Sequence, residues 1–252
     1  MSRSDVGMLW YGREVWRELE FITREGYSSS QVFTDFVDAV LNSLLSLTDN
    51  STKPDFLERL RENRLQGKFE DRYMEVVARY ESNKEVGKRP ADRFVKAWGL
   101  LQHETRETEK DVIGEIYQVM ISRGEHGQYF TPHDLVDVMV EMLGIANQST
   151  VSDPCCGSGR MLISAAKRNP DGYFHGIDVS ADCAKMAVIN LWLFEMNGEI
   201  YHGNTLSMKM KRAWIVRKGG WIYEKDCDVE PMLPSAVQEE TKATAPVQQK
   251  LF

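Results

Sequence analysis

The sequence is poor in cysteine, with four among 252 residues, and in proline, with eight. Cys155, Cys156, Cys183 and Cys227 are spaced neither as a disulfide framework nor as paired zinc ligands, which points to free thiols and no metal. No uninterrupted apolar run approaches the roughly 20 residues that span a bilayer. The opening Met1-Ser-Arg-Ser-Asp-Val lacks the apolar stretch of a secretory signal. The expectation is a soluble, cytoplasmic protein with no membrane partner. Positive charge is also scarce: 31 Lys and Arg face 38 Asp and Glu, a net charge of −7. A surface that is a nucleic-acid footprint throughout is therefore excluded, and any DNA contact must be local or lent by a partner. What is present is a hydrophobic fraction of 42%, enough to build a core in one or two domains.

Apolar residues recur at helical spacing from Leu9 to about Leu47, interrupted by Gly26-Tyr-Ser-Ser-Ser, and predict two amphipathic helices with a capping serine run between them. A further helical stretch is expected from Pro54 to about Tyr80. A polar turn follows from Glu81 to Pro90, and helix again over 91–123. Residues 1–104 thus read as a helical N-terminal domain.

The texture changes after Gly127. Pro132 to Leu143 predicts a helix with Thr131 as N-cap. Then alternate a strand ending at Asp153, a helix from about Gly159, a strand at Tyr173–Asp178, a helix from about Ala181 and a strand at Glu199–His202. That alternation is the signature of a parallel α/β sheet, and 105–228 reads as a Rossmann-like domain. Two β-prone runs around Lys218-Gly-Gly predict a hairpin. Residues 229–252 are rich in Gln, Glu, Thr and Pro, which predicts a disordered tail.

The chemistry concentrates in Asp153-Pro-Cys-Cys-Gly-Ser-Gly159, set between a predicted strand and helix, with Asp178 nineteen residues beyond Gly159. Glycines there let the backbone approach a nucleotide, and an acid ending the next strand can accept from ribose hydroxyls. Nicotinamide dinucleotide and S-adenosylmethionine compete for this pattern. Leu162 stands where the dinucleotide fingerprint has its third glycine, and a cofactor without a pyrophosphate needs that glycine less. The cysteine pair could suggest a nucleophile, but no base lies near it in sequence, and small residues suit a loop pressed against a ligand.

This loop resembles the Asp-Pro-x-x-Gly-x-Gly cofactor loop of N6-adenine DNA methyltransferases related to the modification subunits of type I restriction systems. Gly127-Gln-Tyr-Phe-Thr-Pro-His133 resembles the segment that precedes it there, and Asp111-Val-Ile-Gly-Glu-Ile-Tyr117 also fits. The resemblance implies an S-adenosylmethionine-dependent methyltransferase core after the helical domain. It further implies that Tyr129, Phe130 and Thr131 contact the methionine end of the cofactor. Asp153, Cys155, Gly157 and Gly159 would cradle it, Asp178 would hold the ribose, and Asn204 would lie near the adenine. Thr131 also reads as an N-cap only, Phe130 as core and Asn204 as a turn residue. Glu115 reads as a solvated charge.

The family's catalytic Asn/Asp-Pro-Pro-Phe/Tyr motif is missing from the sequence, and too few residues follow His202 for four more strands with their helices, so the core reads as truncated. Two uses of the cofactor stay open: methyl transfer to adenine N6 in DNA, and a non-catalytic module that binds cofactor and assembles with DNA or protein. For DNA contact the candidates are Lys209, Lys211, Arg212, Trp214, Arg217 and Lys218, cations that could hold phosphates beside an aromatic that could stack a base. The resemblance also allows a partner subunit that supplies target recognition. Finally, Gln248, Leu251 and Phe252 resemble the peptide by which repair proteins dock into the sliding clamp.

Overall fold

A computed structural model describes residues 11–62, 64–80, 82, 84–122 and 130–227. The first two predicted helices are Arg13–Thr23 (α1) and Ser29–Ser51 (α2), and Ser28 caps the second by accepting the Gln31 N–H. Val32, Phe33, Phe36, Val40, Leu44 and Leu45 of α2 are all buried, as befits a helix wrapped by others. The expected single stretch from Pro54 to Tyr80 is instead two helices, Phe56–Arg61 (α3) and Lys68–Ala78 (α4). The break has a local cause. Gly67 sits at φ 118°, a conformation that L side chains rarely adopt, and the Asn50 amide donates to the Gln66 carbonyl at 3.0 Å, so this backbone is satisfied outside a helix. Asp92–Thr108 (α5) and Val112–Ile116 (α6) follow, the latter continuing into a π-helical turn at Tyr117–Ser122.

The α/β half runs His133–Met142 (α7), Thr150–Asp153 (β1), Arg160–Arg168 (α8), Tyr173–Asp178 (β2), Ala181–Leu193 (α9), Asn197–Asn204 (β3), Lys209–Arg217 (β4) and Trp221–Asp226 (β5). The sheet order is β1-β2-β3-β4-β5. The first three strands are parallel, joined through α8 and α9 as parallel neighbours require. β4 and β5 extend the sheet as the expected antiparallel hairpin. β2 lies inside the sheet, and its central residues Phe174 to Ile177 are buried without alternation, the pattern of a parallel strand covered on both faces.

The helical half does not stand apart from this sheet. α2 packs on α9 and β5, and the Ile222 N–H donates to Thr48 Oγ1 at 3.2 Å. Trp98 of α5 meets Trp192 of α9 with ring centroids 5.7 Å apart. One continuous hydrophobic cluster runs from Val15 and Phe36 through Ile113 to Phe174 and Trp214. Among the described residues no helix is long and apolar enough to cross a membrane. A core shared in this way should unfold as one unit. Urea denaturation followed by tryptophan fluorescence and by far-ultraviolet circular dichroism should give coincident single transitions, and two separated transitions would contradict the shared core.

A candidate cofactor cleft at the ends of two parallel strands

β1 ends at Asp153, and the chain enters α8 through a turn with two left-handed glycines, Gly157 at φ 54° and Gly159 at φ 85°. Only glycine adopts these angles freely. A Cβ on Gly157 would lie 3.0 Å from Phe130 Cε1, so its absence leaves a groove beside the aromatic ring. Asp178, the last residue of β2, pins the turn: one carboxylate oxygen accepts the Gly157 N–H at 2.8 Å and the other accepts the Ser180 N–H at 2.8 Å. Asp153 shapes the loop by accepting the Cys155 N–H at 3.0 Å. Cys156 is anchored by its own N–H to the Ile177 carbonyl at 2.9 Å, and its sulfur fills the space above Gly176, where a Cβ would stand 2.9 Å from it.

Facing the turn is a second wall. Phe130 meets Tyr117 edge to face at 5.9 Å, and the Arg160 guanidinium lies 5.5 Å from the Phe130 ring centre. Arg160 Nη1 also donates to the Thr131 carbonyl at 2.8 Å. Between the walls lies a cleft of about 270 Å³ lined by Phe130, Thr131, Val136, Asp153, Cys155, Cys156, Gly157, Arg160, Met161, Asp178, Val179 and Cys183. It sits beyond the carboxyl ends of β1 and β2, where α/β sheets bind their ligands. A larger groove of about 490 Å³, near Arg106, Trp192 and Gly220, contains none of the motif residues.

Most of the predicted cofactor residues converge here. Phe130, Thr131, Asp153, Cys155, Gly157 and Asp178 line the cleft. Gly159 serves the packing of α8 on α9, where a Cβ would stand 3.4 Å from Ala187 Cβ. Thr131 is not the N-cap that its position suggests: Pro132 occupies that place with extended backbone and no capping side chain, and Thr131 is drawn to Arg160 instead. Asn204 is not among the lining residues, because its carboxamide oxygen accepts the Leu206 and Ser207 N–H groups of its own turn. Tyr129 and the tail residues Gln248, Leu251 and Phe252 lie outside the described residues.

Charge within the cleft is mainly negative. Burial, followed by the neighbouring Asp178 charge, holds the Asp153 carboxyl above the usual carboxylate range. Burial pushes the Cys156 thiol well up and the Cys183 thiol to about 12, so neither supplies a thiolate near neutrality. Glu115 is not the solvated charge expected. It lies 3.5 Å from Arg160 Nη2, and burial raises its carboxyl.

The basic segment of β4 is largely engaged within the protein. Arg212 lies 3.8 Å from Glu224, Lys218 pairs with Asp171 at 3.0 Å, and Arg217 rests on the Tyr173 ring. Trp214 is 1% exposed in the core, so it has no face to offer a base. Lys209 and Lys211 remain on the exposed face of the strand.

Residues 108–223, which build the cleft, match the family model described as N-6 DNA Methylase. This stretch, 116 of the 252 residues, is similar to N-6 DNA methylases. The chain is 33% identical over 121 residues to the type I restriction enzyme MjaVII methylase subunit of Methanocaldococcus jannaschii, covering 43% of this chain and 21% of that one. It is 23% identical over 123 residues to the EcoKI methylase subunit of Escherichia coli K12, covering 39% of this chain and 23% of that one. It therefore matches only about a fifth of the length of these relatives. A solved modification subunit of a putative type I restriction enzyme from Vibrio vulnificus superposes with a TM-score of 0.41 at 14% identity, covering 77% of this chain and 56% of that one.

The contrast among the thiols gives a direct check on the cleft. Cys155 is exposed on its rim, whereas Cys156, Cys183 and Cys227 are buried. A maleimide at neutral pH should modify one thiol of the native protein, Cys155, and rapid modification of a second would show that the loop is built otherwise.

Proposed function

We propose that the cleft binds S-adenosylmethionine, with Phe130 and Thr131 on one side of the cofactor, Asp153, Cys155 and Gly157 on the other, and Asp178 at the ribose. The observation that carries this reading is the convergence of the Phe130–Thr131 segment, the left-handed glycine turn and the acid ending β2 on one cleft. The fit is chemical as well as spatial. Asp153 and Asp178 supply negative charge for a ligand that carries a sulfonium and an ammonium, and the missing Gly157 side chain leaves the backbone open to close approach. Bound S-adenosylmethionine supplies an electrophilic methyl group. The residues here hold and orient it, and the apolar sides of Phe130, Val136 and Met161 limit access of water.

Similarity to N-6 DNA methylases suggests adenine N6 in DNA as the acceptor under the enzymatic reading, with a partner subunit reading the target sequence. The alternative reading is a cofactor-binding module that works with DNA or protein partners. Incubation with methyl-labelled cofactor and adenine-containing DNA separates the two. Label in DNA that disappears in Asp178→Ala establishes the enzyme, and tight cofactor binding without transfer establishes the module.

Calorimetric titration should show S-adenosylmethionine binding at tens of micromolar or tighter. Asp178→Ala should weaken it by about tenfold to a hundredfold, the range for hydrogen bonds to a charged group. Binding of a nicotinamide dinucleotide in place of S-adenosylmethionine would overturn the assignment.

The raised Asp153 carboxyl adds a pH dependence with a definite sign. The cationic ligand favours the ionised form, so affinity should be level near neutrality and fall, by up to about tenfold per pH unit, as pH drops through a pKa above the usual aspartate value. Asp153→Asn should remove that acid limb, and an unchanged limb in the variant would refute the role.

A further inference from the structure

Both walls of the cleft converge on a residue that does not line it. Asp111 precedes α6, is fully buried, and caps that helix by accepting the Gly114 N–H at 2.9 Å. Its Oδ2 accepts from Ser158 Oγ at 2.5 Å and from Arg160 Nε at 3.1 Å, and its Oδ1 accepts from the Asn190 amide at 2.7 Å. Asn190, on α9, donates also to the Ser158 carbonyl at 2.8 Å. Ser158 sits between the two left-handed glycines, so these bonds hold the glycine wall. Arg160 carries the same carboxylate's influence to the other wall, through its bond to the Thr131 carbonyl and its place over Phe130. A Cβ at Gly114 would collide with both the Asp111 and Ser158 side chains, so the glycine at that position allows the closeness of the three.

We infer that Asp111 is a positioning residue for the cofactor, one buried carboxylate that sets the separation of the two cleft walls and couples them through Ser158 and Arg160. The inference rests on the reading of the cleft as an S-adenosylmethionine site. A buried ion pair contributes little net stability by itself, because desolvation offsets the attraction. Here the arrangement is specific: the four donors to Asp111 come from α6, the glycine turn, α8 and α9, and three of them belong to segments that build the cleft. Replacing the carboxylate with an amide keeps size and the α6 cap but puts an N–H donor where Oδ2 now receives donors. Arg160 would lose its shorter carboxylate contact and keep only the longer one to Glu115, which loosens its hold on Thr131 and Phe130.

The test is a double-mutant cycle on cofactor affinity in the full chain, using Asp111→Asn, Arg160→Gln and the pair, with S-adenosylmethionine as titrant. Circular dichroism melts establish that each variant is folded. Each single substitution should weaken binding roughly tenfold or more, and the pair should be little worse than either alone, because both break the same linkage. A structural role alone would lower the melting temperature without moving the dissociation constant of the folded protein. Unchanged affinity in folded Asp111→Asn, or losses that simply multiply in the pair, would overturn the inference. Should Asp111→Asn fail to melt cooperatively, Ser158→Ala and Arg160→Gln take its place: weakened binding in both supports the linkage, and wild-type binding in either overturns it. Wild-type protein that does not bind the cofactor at all would instead defeat the reading of the site itself, a result distinct from these.

Discussion

The structure of the cleft depends on a constraint at the turn between β1 and α8: a backbone that must pass through left-handed angles at Gly157 and Gly159 and still satisfy its N–H groups. Turned this way, the Gly157 N–H cannot join a helix or strand ladder, and the Asp178 carboxylate accepts it. That single bond ties the end of β2 to the loop following β1. It requires the two strands to be parallel neighbours in register, and the pairing of Asp153 with Gly176 shows that they are. The room above Gly176, the anchoring of Cys156 and the groove beside Phe130 all follow from this closure.

Around the turn the protein spends unusual polarity in its core. Asp111, Ser158, Arg160 and Asn190 are all buried together. A buried charge without partners is costly, and the Asp111 carboxylate is matched by four donors, while Arg160 Nη2 and Asn190 Oδ1 make no hydrogen bond. The four donors to Asp111 come from different elements of the chain, so the network acts as a staple between the helical half and the α/β half. The shared hydrophobic core provides the adhesion, and the polar staple fixes the geometry.

Much of this was legible in the sequence, and the reasons differ by element. The order from β1 to β3 and the β4–β5 hairpin could be read because apolar periodicity and glycine placement are local signals, and the loop with its distal acid because its parts have fixed spacing in one α/β unit. The division of the Pro54–Tyr80 stretch was missed because it depends on Gly67 and on a side chain, Asn50, from the preceding helix. Thr131 looked like a cap because local preference favours it, but a tertiary bond to Arg160 prevailed. Trp214 looked available to a base because alternation in a strand does not say which face is covered. The segment from Asp111 to Tyr117 stood out by resemblance, but the bonds of Asp111 did not: its partners Ser158 and Asn190 stand 47 and 79 residues away.

Among the described residues, β1 pairs only with β2, so the sheet presents the glycine turn at its margin. The similarity to N-6 DNA methylases spans the loop, the Phe130–Thr131 segment and the acid that ends β2, and the ligand proposed for the cleft is a cationic nucleoside. The most direct measurement of this account is a crystal structure of the protein grown with S-adenosylmethionine. The account predicts the cofactor between Phe130 and the Gly157 turn with its ribose at Asp178, and cofactor in the groove near Trp192 and Gly220, or none bound at saturating concentration, would contradict it.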